Sequence, residues 1–504
     1  MPMRVALGID LGSTSVTVVA VRVDDGEAEM VASLSTSNDT ETTSAKDRVI
    51  GRSEWDIEAM VARVVQTIGE LCSGLDFSEV VAIGVTGQQQ GCQLLDAKGS
   101  PIGPFIAWQD QRCKDRVAGS DGDFLDAMAL KGGATRRGEG LPSFRNAGCP
   151  IVTGYTAPTL YWLAHMGMMP SEAKAAITAP EFLAHKLVGS RRPVTDATDA
   201  AGWGVLDVPQ RCWNEELIGE LGIEHDLFPE IVDSCTAVGG LEGRISDRTD
   251  IPAGTPVSVP SGDHQCAFVG AVEDASDTVA INVGTGGQAS VFLDDLSSLK
   301  RDPQDASIDH GWLELRPHIE RGFLLAGVGV VGGRTFRTLK DFFVRTARSV
   351  FDLSDVDEDR VYERLSHLAG DALFDETIDA MTASALFTGS RERPDARGEF
   401  AGITPGNFTP GSMALAVFRS MAGQLAISYQ SAVDLGAGTR DRIVGSGNGL
   451  RLNTVLRRCL EEAFGGTVLI GRVQEEAAVG AALTAAVAVG VYPDIGSASK
   501  ALVR

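Results

Sequence analysis

Short apolar runs that end in polar, glycine-bearing turns recur along the chain. Residues 5–9 form one such run and lead into Asp10-Leu11-Gly12-Ser13-Thr14; a second run, 16–23, follows at hairpin distance, which predicts strand, turn, strand. Ile57, Met60, Val61, Val64, Val65, Ile68 and Leu71 then fall on one helical stripe, and Ser53, three residues before Asp56, supplies a capping signal. Residues 80–85 read as another strand, ending in Thr86-Gly87-Gln88-Gln89-Gln90-Gly91. Strands alternating with a helix predict an α/β layer. From 119 to 149 the chain is rich in glycine and charge with little periodicity, which predicts an insertion or mobile loop.

The pattern restarts after Ile251-Pro252-Ala253-Gly254, a stretch suited to a domain boundary, and divides the chain into 1–254 and 255–504. In the second half, residues 279–283 run into Gly284-Thr285-Gly286-Gly287-Gln288 and a further strand over 288–292, repeating the strand, turn, strand of the N-terminus. Two related halves facing one another form a cleft, with both turns near one ligand. The alanine- and glycine-rich run 477–492 predicts a buried helix and is too interrupted for a membrane span.

Charge narrows the partners. With 44 basic and 68 acidic residues the formal net charge is −24, which repels nucleic-acid phosphates and anionic membranes; neither partner is expected. An anionic substrate stays open, because a local basic cluster or a bound Mg²⁺ reverses the field inside a cleft. The eight cysteines are scattered without a CxxC pair, and the first residues lack a charged-then-apolar leader, which together predict a cytoplasmic location. The seven histidines show no metal-ligand spacing.

Several turns offer chemistry alongside a bland alternative. Asp10, Gly12, Ser13 and Thr14 present backbone N–H groups, hydroxyls and a carboxylate suited to phosphate oxygens and hydrated Mg²⁺, but the same residues favour ordinary turns. Gly284-Thr285-Gly286-Gly287 poses the same choice. Gly445-Ser446-Gly447-Asn448-Gly449 would let backbone approach a flat ligand or would serve as a flexible loop. Gly327-Val328-Gly329-Val330-Val331-Gly332 matches GxGxxG, yet its mid-chain place fits helix packing better than a dinucleotide site. No GxxxxGK[ST], HExxH or GxSxG occurs. Asp263, in Val259-Pro260-Ser261-Gly262-Asp263-His264, reads either as a helix N-cap or as a general base.

The order of these motifs resembles the FGGY carbohydrate kinase family: GIDLGSTS, AWQDQR, VPSGDHQCAFVGA, INVGTGGQ, IVGSGNGL and EEAAVGAAL, spread over nearly the whole chain. The resemblance implies two domains of the actin, Hsp70 and hexokinase type (ribonuclease H-like) facing a central cleft. The first, 1–254, would bind sugar and carry the first phosphate turn; the second, 255–504, would carry the base and bind ATP. Asp10 would orient Mg²⁺–ATP through water, with Gly12, Ser13, Thr14, Gly284 and Thr285 near the phosphates. Gly447 and Asn448 would lie along the adenosine, with Gly332 and Gly333 close by. Asp263 would take the proton of the sugar hydroxyl, and Gln88, Gln89, Gln90, Trp108, Asp110 and His264 would line the sugar pocket. Among members, the motifs look most like those acting on sedoheptulose, then xylulose. Xylulose-acting members carry Gln-Met-His where this chain has Gln88-Gln89-Gln90, and glycerol-acting ones carry Arg and Glu at the last two positions. Neutral amides donate to and accept from hydroxyls, which suits a polyol chain. A homodimer is left open.

Overall fold

The computed structural model describes the chain except residues 1–2, 25, 75–78, 137–140, 191, 285, 301–312, 331, 376–379, 388, 390–395, 472 and 504. Strand β1, Arg4–Leu11, and β2, Ser15–Asp24, are buried along nearly their whole length and pair antiparallel, and β3, Glu27–Ser37, continues the meander. Helix α1, Ile57–Ser73, lays the expected stripe on this sheet. Each fully buried Ile, Leu or Val there stabilises by roughly 1.5–3 kcal/mol. Its cap differs from the expectation: the Asp56 carboxylate accepts from Ala59 N at 3.0 Å, while Ser53 Oγ accepts from Trp55 Nε1. Asp56 sits directly before the first helical residue, where a cap has to be, so the motif lay three residues further on than read.

Strand β4, Glu79–Gly87, runs parallel to β1. Within 119–149 the loop expectation fails in part. Helix α2, Phe124–Lys131, forms there behind a reciprocal Asp123/Asp126 capping box, and Phe124, Met128 and Phe144 are buried. Eight residues are too few to show a period, although Asp-x-x-Asp marked the start. Residues 137–140 lie outside the described ones. Strands β5, Ala237–Gly240, and β6, Pro256–Ser258, complete the first sheet in the order β5-β6-β4-β1-β2-β3.

Helix α3, Asp263–Ala271, leads to the second sheet: β7, Thr278–Val283; β8, Gly287–Leu293; β9, Leu313–Pro317; β10, Phe323–Val330; β11, Arg442–Ser446; and β12, Val468–Ile470. Its order is β9-β10-β8-β7-β11-β12. Each sheet therefore contains the same unit, an antiparallel three-strand meander (β1-β2-β3; β7-β8-β10) extended by two strands parallel to the first (β4, β6; β11, β12). That repeated unit is the ribonuclease H-like arrangement. Helix α4, Gly333–Val350, packs against helix α5, Pro410–Ala432, with Phe336 stacked on Phe418, and α5 packs on the second sheet.

The GxGxxG run begins inside a strand and not in a turn. Gly327 lies inside β10, paired to Ala289 and Leu313, and a Cβ there would come within 2.5 Å of Ser428 on α5, so this glycine serves helix packing.

Helix α6, Glu476–Ala488, returns from the end of the chain to cover β1 and β4 beside α3. Added Cβ atoms at Gly8 and Gly84 would strike the carbonyls of Ala478 and Ala481, and those at Gly270 and Gly480 would strike the carbonyls of Glu476 and Cys266. Four glycines thus bring β1, β4, α3 and α6 to backbone contact. This contact fixes where the ends of β1 and α3 lie.

Candidate active site

Asp10 sits near the end of β1, opposite Thr17 and Thr86 in the sheet. The turn that follows is stitched by its own backbone: Gly12 N donates to Ser15 O at 3.0 Å, Asn38 N donates to Thr14 O at 3.0 Å, and Asn38 Nδ2 donates to Gly12 O at 2.8 Å. Asp263 begins α3 and is not its cap. Gly262 holds the cap position, and Asp263 Oδ1 accepts from His264 N at 2.6 Å.

Asp10 and Asp263 line one cavity of about 180 Å³, together with His264, Asn282, Gln288, Ser290 and Ser446. The first sheet, α3 and the second sheet all contribute to its wall. Burial, then the Asp263 and Glu475 carboxylates, push the Asp10 carboxyl up to about 7. Burial also raises Asp263, opposed by the Arg316 guanidinium and by the His264 N–H bond. Burial, Arg316 and His318 drive His264 far below its usual range, so the ring is neutral. Arg316 Nη1 lies 3.4 Å from His264 Nδ1, which assigns the acceptor role to Nδ1 and lets Nε2 donate to Ser290 Oγ at 2.8 Å.

Arg316 and Glu314 are residues that sequence reasoning missed. Both are buried on β9, two apart and so on one face of the strand, with Arg316 Nη2 2.7 Å from Glu314 Oε2. Two opposite charges at that spacing in Leu313-Glu314-Leu315-Arg316-Pro317 were the available signal, since buried Glu and Arg are rare unless paired. Glu475, beside Asp10, was missed too. It adopts a positive φ of 59° at the start of α6, which sequence does not reveal.

The nucleotide-side candidates converge. Gly284 N donates to Gly286 O at 3.0 Å and Gly333 N donates to Gly284 O at 2.9 Å, while a Cβ on Gly332 would strike Gly286. Gly447 has φ 84°, and a Cβ there would lie 2.7 Å from Val283 O, so only glycine lets this turn close on the end of β7. Asn448 follows as the first residue of the short helix Asn448–Leu452, and Asn282 Nδ2 donates to Ser446 Oγ at 3.0 Å. Thr285 lies outside the described residues.

The sugar-side candidates divide. Gln89 and Gln90 line a narrow seam with Tyr155, Glu314 and Arg316. Gln88 is buried, its backbone N donates to Leu11 O at 3.0 Å, and neither amide atom of its side chain meets a partner among the described residues. Gln89 donates through Nε2 to Thr198 O, and its Oε1 meets no partner among the described residues. Trp108 is 39% exposed and Asp110 fully buried, and neither lines these two cavities. The Asp110 oxygens accept from Arg112 Nε, Nη2 and N and from Ser53 N, all within 2.9 Å. With that many donors satisfied, Asp110 acts as a brace inside the wall.

Comparison with known proteins gives two successive family matches, the first of which extends past residue 254 and includes Asp263. The N-terminal domain of the FGGY family of carbohydrate kinases matches residues 5–270 and its C-terminal domain matches 302–489. A sedoheptulokinase of Mus musculus is 26% identical, covering 95% of this chain and 96% of its own length, and one of Homo sapiens is 25% identical over the same shares. The solved xylulose kinase of Rhodospirillum rubrum superposes with a TM-score of 0.77 at 21% identity, covering 99% of this chain and 93% of that one, which shows the shared fold. The repeated ribonuclease H-like sheets and both family domains give one conclusion: the chain belongs to the FGGY family of carbohydrate kinases and is an ATP-dependent sugar kinase.

Proposed function

We propose that the chain transfers the γ-phosphoryl group of ATP to the terminal primary hydroxyl of a ketose, and that the ketose is sedoheptulose, giving sedoheptulose 7-phosphate. The observation that carries the reading is the single cavity holding both Asp10 and Asp263 with the polar ends of the second sheet's strands on its wall. The names of the mouse and human relatives support the choice of sugar. A pentulose such as xylulose is the second reading, supported by the Staphylococcus xylosus xylulose kinase, 24% identical over 57% of this chain.

In this mechanism Asp263 is the general base. Its Oδ1 is held by His264 N, which leaves Oδ2 to accept the hydroxyl proton as the sugar oxygen bonds to phosphorus and ADP departs. Gln88, Gln89 and Gln90 bind the hydroxyls of the sugar, and neutral His264 lines the pocket without adding charge. Gly12, Ser13 and Thr14 face the phosphates from the first half and Gly284 and Thr285 from the second; Gly332, Gly333, Gly447 and Asn448 lie along the adenosine.

A divalent cation fits this donor set. Asp10 is costly to ionise beside two other carboxylates, and a cation removes that cost. Among the described residues no group of three or more ligating side chains converges, so Asp10 would hold the ion through water. Mg²⁺, when bound with ATP, neutralises charge on the phosphates. The reading includes a cytoplasmic location, no nucleic-acid or membrane partner, and leaves a homodimer open.

A coupled ADP-release screen over sedoheptulose, xylulose, ribulose, fructose, glycerol, erythritol and gluconate tests it. Sedoheptulose should give the highest kcat/KM, with the phosphate on its terminal carbon. If every sugar left ATP untouched, the reading would fail.

A further inference from the structure

Asp263 owes its placement to the two residues before it, and those residues hang on a buried carboxylate far away in sequence. Asp196 has no exposed surface. Its Oδ2 accepts from Ser261 Oγ at 2.9 Å and from Ser234 Oγ at 2.6 Å; its Oδ1 accepts from Thr198 Oγ1 at 2.6 Å and from Asp199 N at 2.9 Å. Thr198 Oγ1 in turn accepts from Gly262 N at 2.8 Å, and Thr198 O takes the Gln89 amide. Ser261 is also tied to the first sheet, its N donating to Val85 O at 3.1 Å and its O accepting from Thr86 Oγ1 at 2.7 Å.

Burying a carboxylate this deeply costs several kcal/mol unless its oxygens are satisfied, and an apolar residue would pack at lower cost. Here the satisfied oxygens are aimed. One fixes the hydroxyl of Ser261, and the other orients the hydroxyl of Thr198 that takes the N–H of Gly262. The same threonine holds Gln89. One buried acid is therefore bonded, at one or two removes, to the step preceding the base and to an amide of the sugar pocket.

We propose that Asp196 is a positioning residue of the acceptor half of the site: through Ser261 and Thr198 it fixes the Ser261-Gly262 step that aims Asp263 and the carbonyl that holds Gln89. The proposal rests on the kinase reading, in which Asp263 is the base. Ser234 supplies an internal control, because it donates to the same Asp196 oxygen as Ser261 and leads to neither group.

The test uses the full chain with ATP and the best ketose from the screen, comparing Ser261→Ala, Ser234→Ala, Asp196→Asn and the double variant Asp196→Asn/Ser261→Ala. Asparagine keeps the size of the side chain but removes the charge that strengthens all four bonds, and its amide cannot accept from Ser261 and Ser234 as the carboxylate oxygen does. A displaced reacting group costs up to about 100-fold in rate per ångström. Ser261→Ala should lower kcat about tenfold with KM for ATP within about twofold, and Asp196→Asn should lower it about 30-fold or more. Ser234→Ala should stay within about threefold, and the double variant should fall no lower than Asp196→Asn alone. Amide hydrogen exchange across residues 259–266, measured without substrate, should quicken in Ser261→Ala and not in Ser234→Ala. Equal losses from the two serines, multiplicative losses in the double variant, or unchanged exchange would overturn the proposal. If Asp196→Asn does not fold, the serine pair decides. An unmodified protein inactive on every ketose would count against the kinase reading, and the exchange measurement would still judge the role of Asp196.

Discussion

The two sheets share a strand order but not a chemistry. The end of β1 carries Asp10, which lines one cavity with a second acid, Asp263, at the start of α3, and glycines at 8, 84, 270 and 480 press the backbones behind both acids together. The turn after β7 carries no acid: Gly284, Gly286 and Gly447 bring bare backbone to one place, with the neutral Asn282–Ser446 pair beside it. Glycine lets backbone meet backbone in both halves, but what it brings together differs. In the first, charged side chains converge; in the second, a Cβ at Gly332 or Gly447 would strike Gly286 or Val283 O, and the joined turns present neutral groups. In the proposed mechanism the first would deprotonate the acceptor and the second would cradle the donor.

The comparison breaks most visibly at Asp263. Asp263→Ala should lower kcat by about 10³-fold or more, with ATP affinity within about threefold, because the base belongs to the acceptor side. Isothermal titration with ATP beside steady-state turnover separates the two quantities. A parallel collapse of affinity would erase the division drawn between the halves.

Asp10→Asn should lower kcat by about 10²-fold and raise thermal stability. Burial and the neighbouring acids lift this carboxyl to about 7 in the fold from an ordinary 3.8. Between those values the folded protein binds more protons than the unfolded chain, so stability should fall as pH rises from about 4 to 7 and level off above. The asparagine variant should lose that slope. Melting curves of the nucleotide-free protein check it, each kcal/mol being worth about 2–4 °C or less in a chain this size.

Gly447→Ala should act on the donor side alone. Its φ of 84° and the 2.7 Å approach to Val283 O leave no room for a methyl group, so KM for ATP should rise about tenfold while KM for the sugar holds. Equal rises in both would place the turn outside the nucleotide side.

Much of this was legible before any coordinate. Periodicity found β1, β2, β4 and α1, and repetition of strand, turn, strand found the second sheet's core. What sequence could not carry is register between distant segments. The Glu314–Arg316 pair reads locally as two charges in a strand, and only β9's place at the sheet edge brings it to His264. Asp110 shows the converse. The resemblance places it at the sugar, and the structure shows its oxygens bonded to Arg112, two residues on. Of the two alternatives posed locally for Asp263, the cap fails, since Gly262 occupies that position, and the base is the one the proposed mechanism uses.

The smallest expected effect concerns Glu314, which joins the acceptor wall from the second sheet. Its carboxylate neutralises Arg316, so the seam holding Gln89 and Gln90 presents a paired charge to the sugar. Glu314→Gln keeps the shape and an oxygen for the guanidinium but leaves the arginine cationic. A neutral ketose gains nothing from that change and loses some order in Arg316, so kcat/KM should fall about threefold. A sugar acid such as gluconate, repelled until then by Glu314 and Asp263, should improve by about the same factor. The ratio of the two kcat/KM values is the measurement, and it should move about tenfold, since both arms shift it in one direction. A ratio unchanged by Glu314→Gln would mean that Arg316 does not meet the acceptor, and the acceptor wall would then be built from the first half alone.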